Sequence, residues 1–443
     1  MSIFKAYDIR GIYPNELDEE MVYNIGRAFV HYLKCKRVVI GRDMRLSSDS
    51  FFKALSDGIT DQGADVIDIG LSGTDMLYFA VSNYGYESGI MITASHNSKE
   101  WNGLKLVREK AIPLSIETGI GQIQEIVEKN QFSNAENKGK ITKKEIMDDY
   151  VKFVHSFADS EKIKPLKVVM DASNGMAGVI APKIFEKTNI EIIPMYFDLD
   201  GTFPNHQSNP LIEENREQIM KKVVEEKADL GITWDGDADR CFFIDDKGKF
   251  IQGDFITGLF AESMLKKNPG SMILYDLRAS WFVKDIIQKN NGKSRMCRVG
   301  HAFFKQYMRE EDAVFAGEVT GHYYYKYKDF YTDNGMIPAL QMLELISEKN
   351  KSLSEILKIT ENYFISGEIN SEVEDKEAIM EKLEQEFSDC KISHMDGVSI
   401  EYDDWHFNVR PSNTEPLLRL NLEAKTKEKM EEMGDKVLNI IRS

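Results

Sequence analysis

The sequence predicts an α/β protein, with three consecutive α/β domains of mixed, mostly parallel sheets and a C-terminal α+β domain. Three observations lead there. Apolar runs of strand length alternate with amphipathic segments of helix length through most of the chain, which argues for parallel sheets covered on both faces. Near the C-terminus the apolar pattern changes to period two, as in half-exposed antiparallel strands. The chain has 443 residues, too many for one hydrophobic core, and that length implies about three or four domains.

The elements follow in order. Val38-Val39-Ile40-Gly41 reads as a strand. Ser47 to Gln62 reads as a helix, with Phe51, Phe52, Leu55 and Ile59 on one face and Ser47 or Ser48 as N-cap. A strand at Ala64 to Ile69, a helix at Thr74 to Asn83 and a strand at Gly89 to Ile92 complete the first unit. A second unit begins near Lys167 with Val168-Val169-Met170-Asp171, followed by a helix, a strand at Ile190 to Phe197 and a strand at Ala228 to Trp234. A third begins near Gln252, with strands at Met272 to Tyr275 and Asp312 to Ala316. In the tail, Val398, Ile400 and Tyr402, then Trp405, Phe407 and Val409, then Leu418, Leu420 and Leu422 alternate with polar residues. A last helix, capped by Thr426, is expected to bury Met430, Met433, Val437 and Ile440. The expected domains are 1–145, 146–248, 249–361 and 362–443. Charged residues from Glu136 to Lys144 separate the first two, and a linker within Glu361 to Glu374 precedes the last.

Two segments carry chemistry. Gly89 to Ile92 runs straight into Thr93-Ala94-Ser95-His96-Asn97, which presents the Ser95 hydroxyl at a strand end, where α/β proteins bind ligands. The Ala228 to Trp234 strand runs into Asp235-Gly236-Asp237-Ala238-Asp239-Arg240. Alternate aspartates also open an EF-hand loop, but that loop needs Gly at its sixth position and Glu at its twelfth, where this chain has Arg240 and Asp246. Three carboxylates on a strand-end loop, with Gly236 letting the backbone curl, suit one small divalent ion. Oxygen donors without Cys or His favour magnesium over zinc. A nucleophilic serine with such a cage points to phosphoryl transfer.

Together with two further motifs, Gly317-Glu318-Val319-Thr320-Gly321-His322 and Arg410-Pro411-Ser412-Asn413-Thr414-Glu415-Pro416, these segments make the chain resemble the α-D-phosphohexomutase family, which includes phosphomannomutases and phosphoglucomutases. The resemblance covers essentially the whole length, and the four motifs stand in the family's order. It implies that Ser95 carries a phosphoryl group and that magnesium is held by Asp235, Asp237 and Asp239 together with Ser95. It also implies that Glu318, Thr320 and His322 recognise the sugar, and that Arg410, Ser412, Asn413 and Thr414 bind phosphate. The implied reaction interconverts hexose 1-phosphate and hexose 6-phosphate through a hexose 1,6-bisphosphate, with mannose and glucose as the expected sugars. A mobile last domain would keep water from the phosphoserine.

Further residues are read one by one. The segment Tyr7-Asp8-Ile9-Arg10-Gly11 lies by the active serine in the family. Tyr7 is therefore expected at the substrate, and Arg10, fixed at a strand end by a turn at Gly11, at the phosphoryl group. Asn102-Gly103 reads as a turn that returns Lys105 toward Ser95, and the match to the family's NGxK makes Lys105 a proton shuttle or a charge partner. Arg240 directly abuts the acidic triad and is expected among the catalytic residues. His301, in Gly300-His301, is the other candidate base, from a Gly-His near the sugar in the family. Arg410 with free backbone N–H groups and neighbouring hydroxyls would form an anion nest. Glu318 and Thr320, two apart on an extended loop, would face the same way toward adjacent sugar hydroxyls. The chain departs from the family in having Thr320 where Ser is usual and Ser98 where many relatives have Pro, which bears on substrate preference and on loop entropy. His31, His155, His206, His394 and His406 read as structural or surface residues.

Composition agrees. With 42% hydrophobic and 29% charged residues the chain is that of an ordinary globular protein, and a net charge of −17 disfavours nucleic acid and anionic membranes as partners. Local Arg and Lys clusters still allow an anionic sugar phosphate. Four scattered cysteines, no signal-peptide pattern and no transmembrane-length apolar run lead to the expectation of a cytoplasmic enzyme, monomeric or homodimeric. No nucleotide-binding Walker pattern is present. Phosphoglucosamine mutase is the alternative within the family. A non-catalytic sugar-phosphate sensor ranks below it, because Ser95 and all three aspartates are retained.

Overall fold

The structure, a computed structural model, describes residues 3–411 and 417–443. It divides into two compact units, Met1–Ile251 with Thr320–Ser354 and Gln252–Val319 with Glu355–Ser443.

The first unit holds two mixed sheets. One runs Ile9–Ile12, Trp101–Arg108, Ser88–Ile92, Arg37–Arg42, Asp65–Leu71, Ile141–Lys143. Its inner strands pair in parallel, and the pairs from Ser88–Ile92 outward to Ile9–Ile12 are antiparallel. The inner strands are apolar and buried because helices cover both faces; every residue of Ser88–Ile92 is buried. Ser48–Asp61 buries Phe51, Leu55 and Ile59 as the periodicity predicts. Phe52 is only partly covered, beneath the Arg42 guanidinium at 4.4 Å. Ser47 occupies the N-cap position but makes no side-chain cap bond.

The second sheet runs Phe250–Ile251, Cys241–Ile244, Leu230–Trp234, Lys167–Asp171, Glu191–Met195, with the last three strands parallel. A hairpin of Tyr323–Tyr327 and Phe330–Asp333 and the helix Met336–Lys349 belong to the same unit.

In the second unit Met272–Asp276 pairs in parallel with Lys293–Cys297 and Phe315–Gly317. Phe315–Gly317 begins later than predicted because Asp312 is the left-handed C-cap of the helix His301–Glu311. The C-terminal sheet is wholly antiparallel, in the order Phe364–Glu372, Leu417–Ala424, Trp405–Pro411, Val398–Glu401, Lys391–Ser393. Its alternate apolar residues form one core with the helix Lys427–Ile441, whose N-cap Thr426 accepts a hydrogen bond from the Lys429 amide. Met433, Val437 and Ile441 are the buried apolar side chains of that helix, with Met430 and Ile440 packed at the margin.

Two local expectations are corrected, at Arg10 and at Asn102-Gly103. Within the charged stretch Glu136 to Lys144, Ile141–Lys143 adds an edge strand beside Asp65–Leu71. Within Glu361 to Glu374, Phe364–Glu372 forms an outer strand of the last sheet, with a register shift between Ile365 and Glu368. Arg10 lies inside the strand Ile9–Ile12 rather than at a turn. Asn102-Gly103 lies inside Trp101–Arg108 and makes no turn. Strand pairing overrode local Gly and Asn-Gly signals in the last two cases, a tertiary effect that short-range patterns do not contain.

Candidate active site

The first unit brings together the two motifs that carried the chemistry. Ser95 follows the buried strand Ser88–Ile92 and adopts φ +51°, in the left-handed region that side chains other than Gly rarely occupy. Three contacts hold it there. The Ser95 amide donates to Thr93 Oγ1 (2.8 Å), and Arg45 donates to the Ser95 carbonyl (2.8 Å). Gly236 completes the fit: a Cβ there would lie 2.7 Å from the Ser95 carbonyl oxygen, so the two loops meet backbone to backbone. This close approach is the requirement for Gly at 236; the residue that curls the acidic loop through positive φ is Ala238, at +59°.

The Ser95 hydroxyl donates to Asp235 Oδ2 at 2.7 Å, and His96 Nδ1 lies 3.2 Å from the same oxygen. Asp235, Asp237 and Asp239 are at most 1% exposed, and each offers a carboxylate oxygen within 4.8 Å of the others. Lys105 reaches them from its strand, donating to Asp237 Oδ2 (2.8 Å) and Asp239 Oδ2 (2.6 Å). Arg240 donates its backbone N–H to Asp235 Oδ1 (3.2 Å) and its Nε–H to His322 Nε2 (3.0 Å). His322 Nδ1 lies 3.8 Å from Asp239 and 3.7 Å from Asp333. Its loop is fixed by the Cys241 amide, which donates to the Gly321 carbonyl, and by Gly321 at φ +83°, where a Cβ would strike the Phe242 ring.

The electrostatics follow from burial. Three buried carboxylates face two cations, Lys105 and Arg240. Burial, reinforced by Asp237 and Asp239, pushes the Asp235 carboxyl well above the usual carboxylate range. Burial alone would lower the Lys105 ammonium, but Asp237 and Asp239 outweigh it and hold Lys105 protonated. Burial, with Arg240 and Arg10 nearby, keeps the His96 imidazole neutral. Buried Asp237 Oδ1 has no hydrogen-bond partner, an arrangement that a bound cation would satisfy.

Arg10 donates to Asp8 (2.7 Å), to the Asn97 side chain (2.7 Å) and to the Ala94 carbonyl (3.2 Å), so it borders the serine loop as expected. Tyr7 lies half-buried in the bend before that strand, and Thr320 half-buried in a turn. Residues 319 and 320 are turn residues, not the extended loop expected, so the argument from alternation for Glu318 and Thr320 fails. In the second unit, Glu318 is buried and His301 begins its helix after Gly300 at φ +131°. Arg410, Arg278 and Arg419 each donate to the carboxylate of Glu368 at 3.3 Å. Glu368 stands just past the register shift of its strand. Ser412, Asn413 and Thr414 lie outside the described residues.

Sequence models of a known family match the chain over nearly its whole length: "Phosphoglucomutase/phosphomannomutase, alpha/beta/alpha domain" I over residues 1–134, II over 148–248 and III over 252–363, and the family's C-terminal domain over 368–440. A phosphomannomutase of Vibrio cholerae is 44% identical, with 99% of this chain and 97% of the relative covered. The chain belongs to the phosphoglucomutase/phosphomannomutase family. A phosphomannomutase of Escherichia coli K12 is 42% identical over 96% of this chain and 95% of its own length. The solved structure of a phosphoglucomutase/phosphomannomutase family protein from Burkholderia thailandensis superposes with TM-score 0.90 at 30% identity, covering 99% of this chain and 96% of that one. This family member is a phosphohexomutase, an intramolecular phosphotransferase.

Two residues of this phosphohexomutase's site escaped sequence reasoning. His96 stands in the serine motif itself, but no pattern in the sequence tells that its imidazole lies 3.2 Å from the Ser95 hydroxyl. Arg45 gave no pattern of its own. Its buried guanidinium donates to the carbonyls of Ser95, Asn97 (2.7 Å), Ser98 (2.7 Å) and Trp101 (2.9 Å) and pairs with Asp43 at 3.2 Å. One fixed fork thus gathers four carbonyls in and beside the serine loop. Arg45→Ala would leave Asp43 buried without its cation and would remove the guanidinium N–H groups from all four carbonyls. It is expected to lower stability by about 3–5 kcal/mol, with Arg45→Lys intermediate, measured by urea unfolding. A loss under about 1 kcal/mol would remove the clamp from the account.

Proposed function

We propose that this phosphohexomutase interconverts the 1- and 6-phosphates of mannose and glucose through a phosphoserine at Ser95 and a hexose 1,6-bisphosphate. The observation that carries the reading is the Ser95 hydroxyl bonded to Asp235 inside a buried cage of three carboxylates. The all-oxygen donor set and the unpartnered Asp237 Oδ1 fit magnesium, held by Asp235, Asp237, Asp239 and the group on Ser95. Bound there, the ion would neutralise charge on the transferring phosphoryl group.

The chain's own residues do the rest. Ser95 Oγ carries the phosphoryl group, gives it to the free sugar hydroxyl, and takes back the other phosphate after the bisphosphate reorients. Lys105, protonated and bonded to two aspartates, acts as a charge partner rather than as the base. His301 is then the candidate to accept the hydroxyl proton. Arg10 and Arg240 stabilise the phosphoryl oxygens, and Tyr7, Glu318, Thr320 and His322 recognise the sugar. Arg410 anchors the phosphate that is not reacting. Arg410, Arg278 and Arg419 converge on Glu368, with Asp276 also paired to Arg278, and this cluster of guanidiniums supports an anion beside Arg410. Four domains, 1–145, 146–248, 249–361 and 362–443, are supported by the ranges of the four family models. Four free cysteines suit a reducing cytoplasm, and no helix among the described residues is long and apolar enough to cross a membrane. The oligomeric state is proposed as monomer or homodimer.

A coupled assay with mannose, glucose and glucosamine phosphates tests this reading. Mannose and glucose 1-phosphates are both expected to turn over, with kcat/KM values within about 10⁴-fold of each other, since a larger ratio requires a dedicated polar discriminator. Thr320→Ala is expected to raise KM more than it lowers kcat, as loss of uniform binding does. Preference for glucosamine phosphate would move the enzyme to the alternative activity.

A further inference from the structure

Asp237 is held by a residue that no motif of the reaction contains. Thr74 is the first residue of the helix Thr74–Asn83 and is fully buried. Its backbone N–H donates to the Asp237 carbonyl at 3.1 Å, and its Oγ1 donates to Asp237 Oδ2 at 2.5 Å. The same Oγ1 lies 3.4 Å from Lys105 Nζ as an acceptor, and Lys105 also donates to Asp237 Oδ2. One carboxylate oxygen of Asp237 is thus doubly bound, while the other, Oδ1, is buried with no hydrogen-bond partner. The helix start that carries Thr74 is itself fixed. Tyr150 donates to Asp75, and Asn334 donates to the Tyr150 hydroxyl at 3.0 Å. A Cβ on Gly73 would lie 3.0 Å from the Asp237 carbonyl oxygen, so the helix start and the acidic loop are in direct backbone contact.

We infer that Thr74 is the positioning residue of the cation site: by binding Asp237 Oδ2 through its side chain and the Asp237 backbone through its amide, it presents Oδ1 to a divalent cation. The inference rests on the reading of Asp235, Asp237 and Asp239 as the cation site. A carboxylate free to rotate would offer either oxygen to Lys105 or to the ion. Thr74 removes that freedom before the ion arrives, and outer partners of this kind typically set metal affinity by 10- to 100-fold. Any hydroxyl at this place does the task, so the methyl group of Thr is dispensable.

The test uses Mn²⁺ as the probe, with binding to the full chain followed by electron paramagnetic resonance and checked by calorimetry. Thr74→Val keeps the shape and loses the hydroxyl. It is expected to weaken Mn²⁺ binding by about 10- to 100-fold, with turnover recovering at saturating cation. Thr74→Ser is expected to stay within about threefold of the parent chain, and thermal unfolding would confirm that each variant folds. Parent-like Mn²⁺ affinity in Thr74→Val, or equal weakening in Thr74→Ser and Thr74→Val, overturns the inference. Asp237→Asn separates the two levels. Weakened binding in Asp237→Asn beside unchanged binding in Thr74→Val rejects the role of Thr74 alone. Unchanged binding in both rejects the cation site and the inference with it.

Discussion

Ser95→Ala is expected to lower kcat by about 10⁴-fold or more for both sugars, because it removes the atom that carries the phosphoryl group and no neighbour can replace it. The loss should be chemical rather than structural. The Ser95 hydroxyl makes one strong bond, to Asp235, and the backbone of the loop is held independently by Thr93, Arg45 and the close approach of Gly236. Unfolding free energy should therefore change by only about 1 kcal/mol, the usual net contribution of one hydrogen bond. Intact mass and peptide mapping of the parent protein should locate phosphate on Ser95 in full or in part. Phosphate found only elsewhere, or turnover in the alanine variant within about 100-fold of the parent, would reject the phosphoserine mechanism.

Asp237→Asn should lower kcat on the order of 10³-fold, and exhaustive chelation should abolish turnover until magnesium is restored. The size follows from what the carboxylate does. Asp237 is fully buried, accepts from Thr74 and Lys105 through one oxygen, and keeps the other without a partner. An amide can still accept from Thr74, but it lacks the charge that a hard cation requires and leaves Lys105 with Asp239 as its one anionic partner. Loss of a charge stabiliser in phosphoryl transfer commonly removes 10³- to 10⁵-fold in rate, about 4–7 kcal/mol of barrier. Initial rates across a magnesium titration, run for parent and variant, give the measurement. Parent-like rates after chelation, or an Asp237→Asn variant with unchanged kcat, would remove the ion from the mechanism.

What the sequence determined by itself is the chemistry and the class of fold. Strand and helix periods are local properties, so buried runs such as Ser88–Ile92 and the helix Thr74–Asn83 were legible without any tertiary contact. The motifs at Ser95 and Asp235 were legible because phosphoryl transfer restricts which side chains can serve at one strand end. Contacts distant in sequence were decided only by the tertiary structure. Arg10 and Gly103 read as neighbours of turns, yet they pair directly across two antiparallel strands, because sheet hydrogen bonds outweigh a weak turn preference. A linker is expected within Glu361 to Glu374, and only the folded sheet shows that Phe364–Glu372 is a strand there and sets Glu368 against Arg410, Arg278 and Arg419; an outer strand can carry such charges at little cost. Arg45 and Thr74 carry no motif because they recognise backbone carbonyls and a single carboxylate oxygen. Any helix start or strand end can offer such groups, and only folding brings the right ones within hydrogen-bond reach.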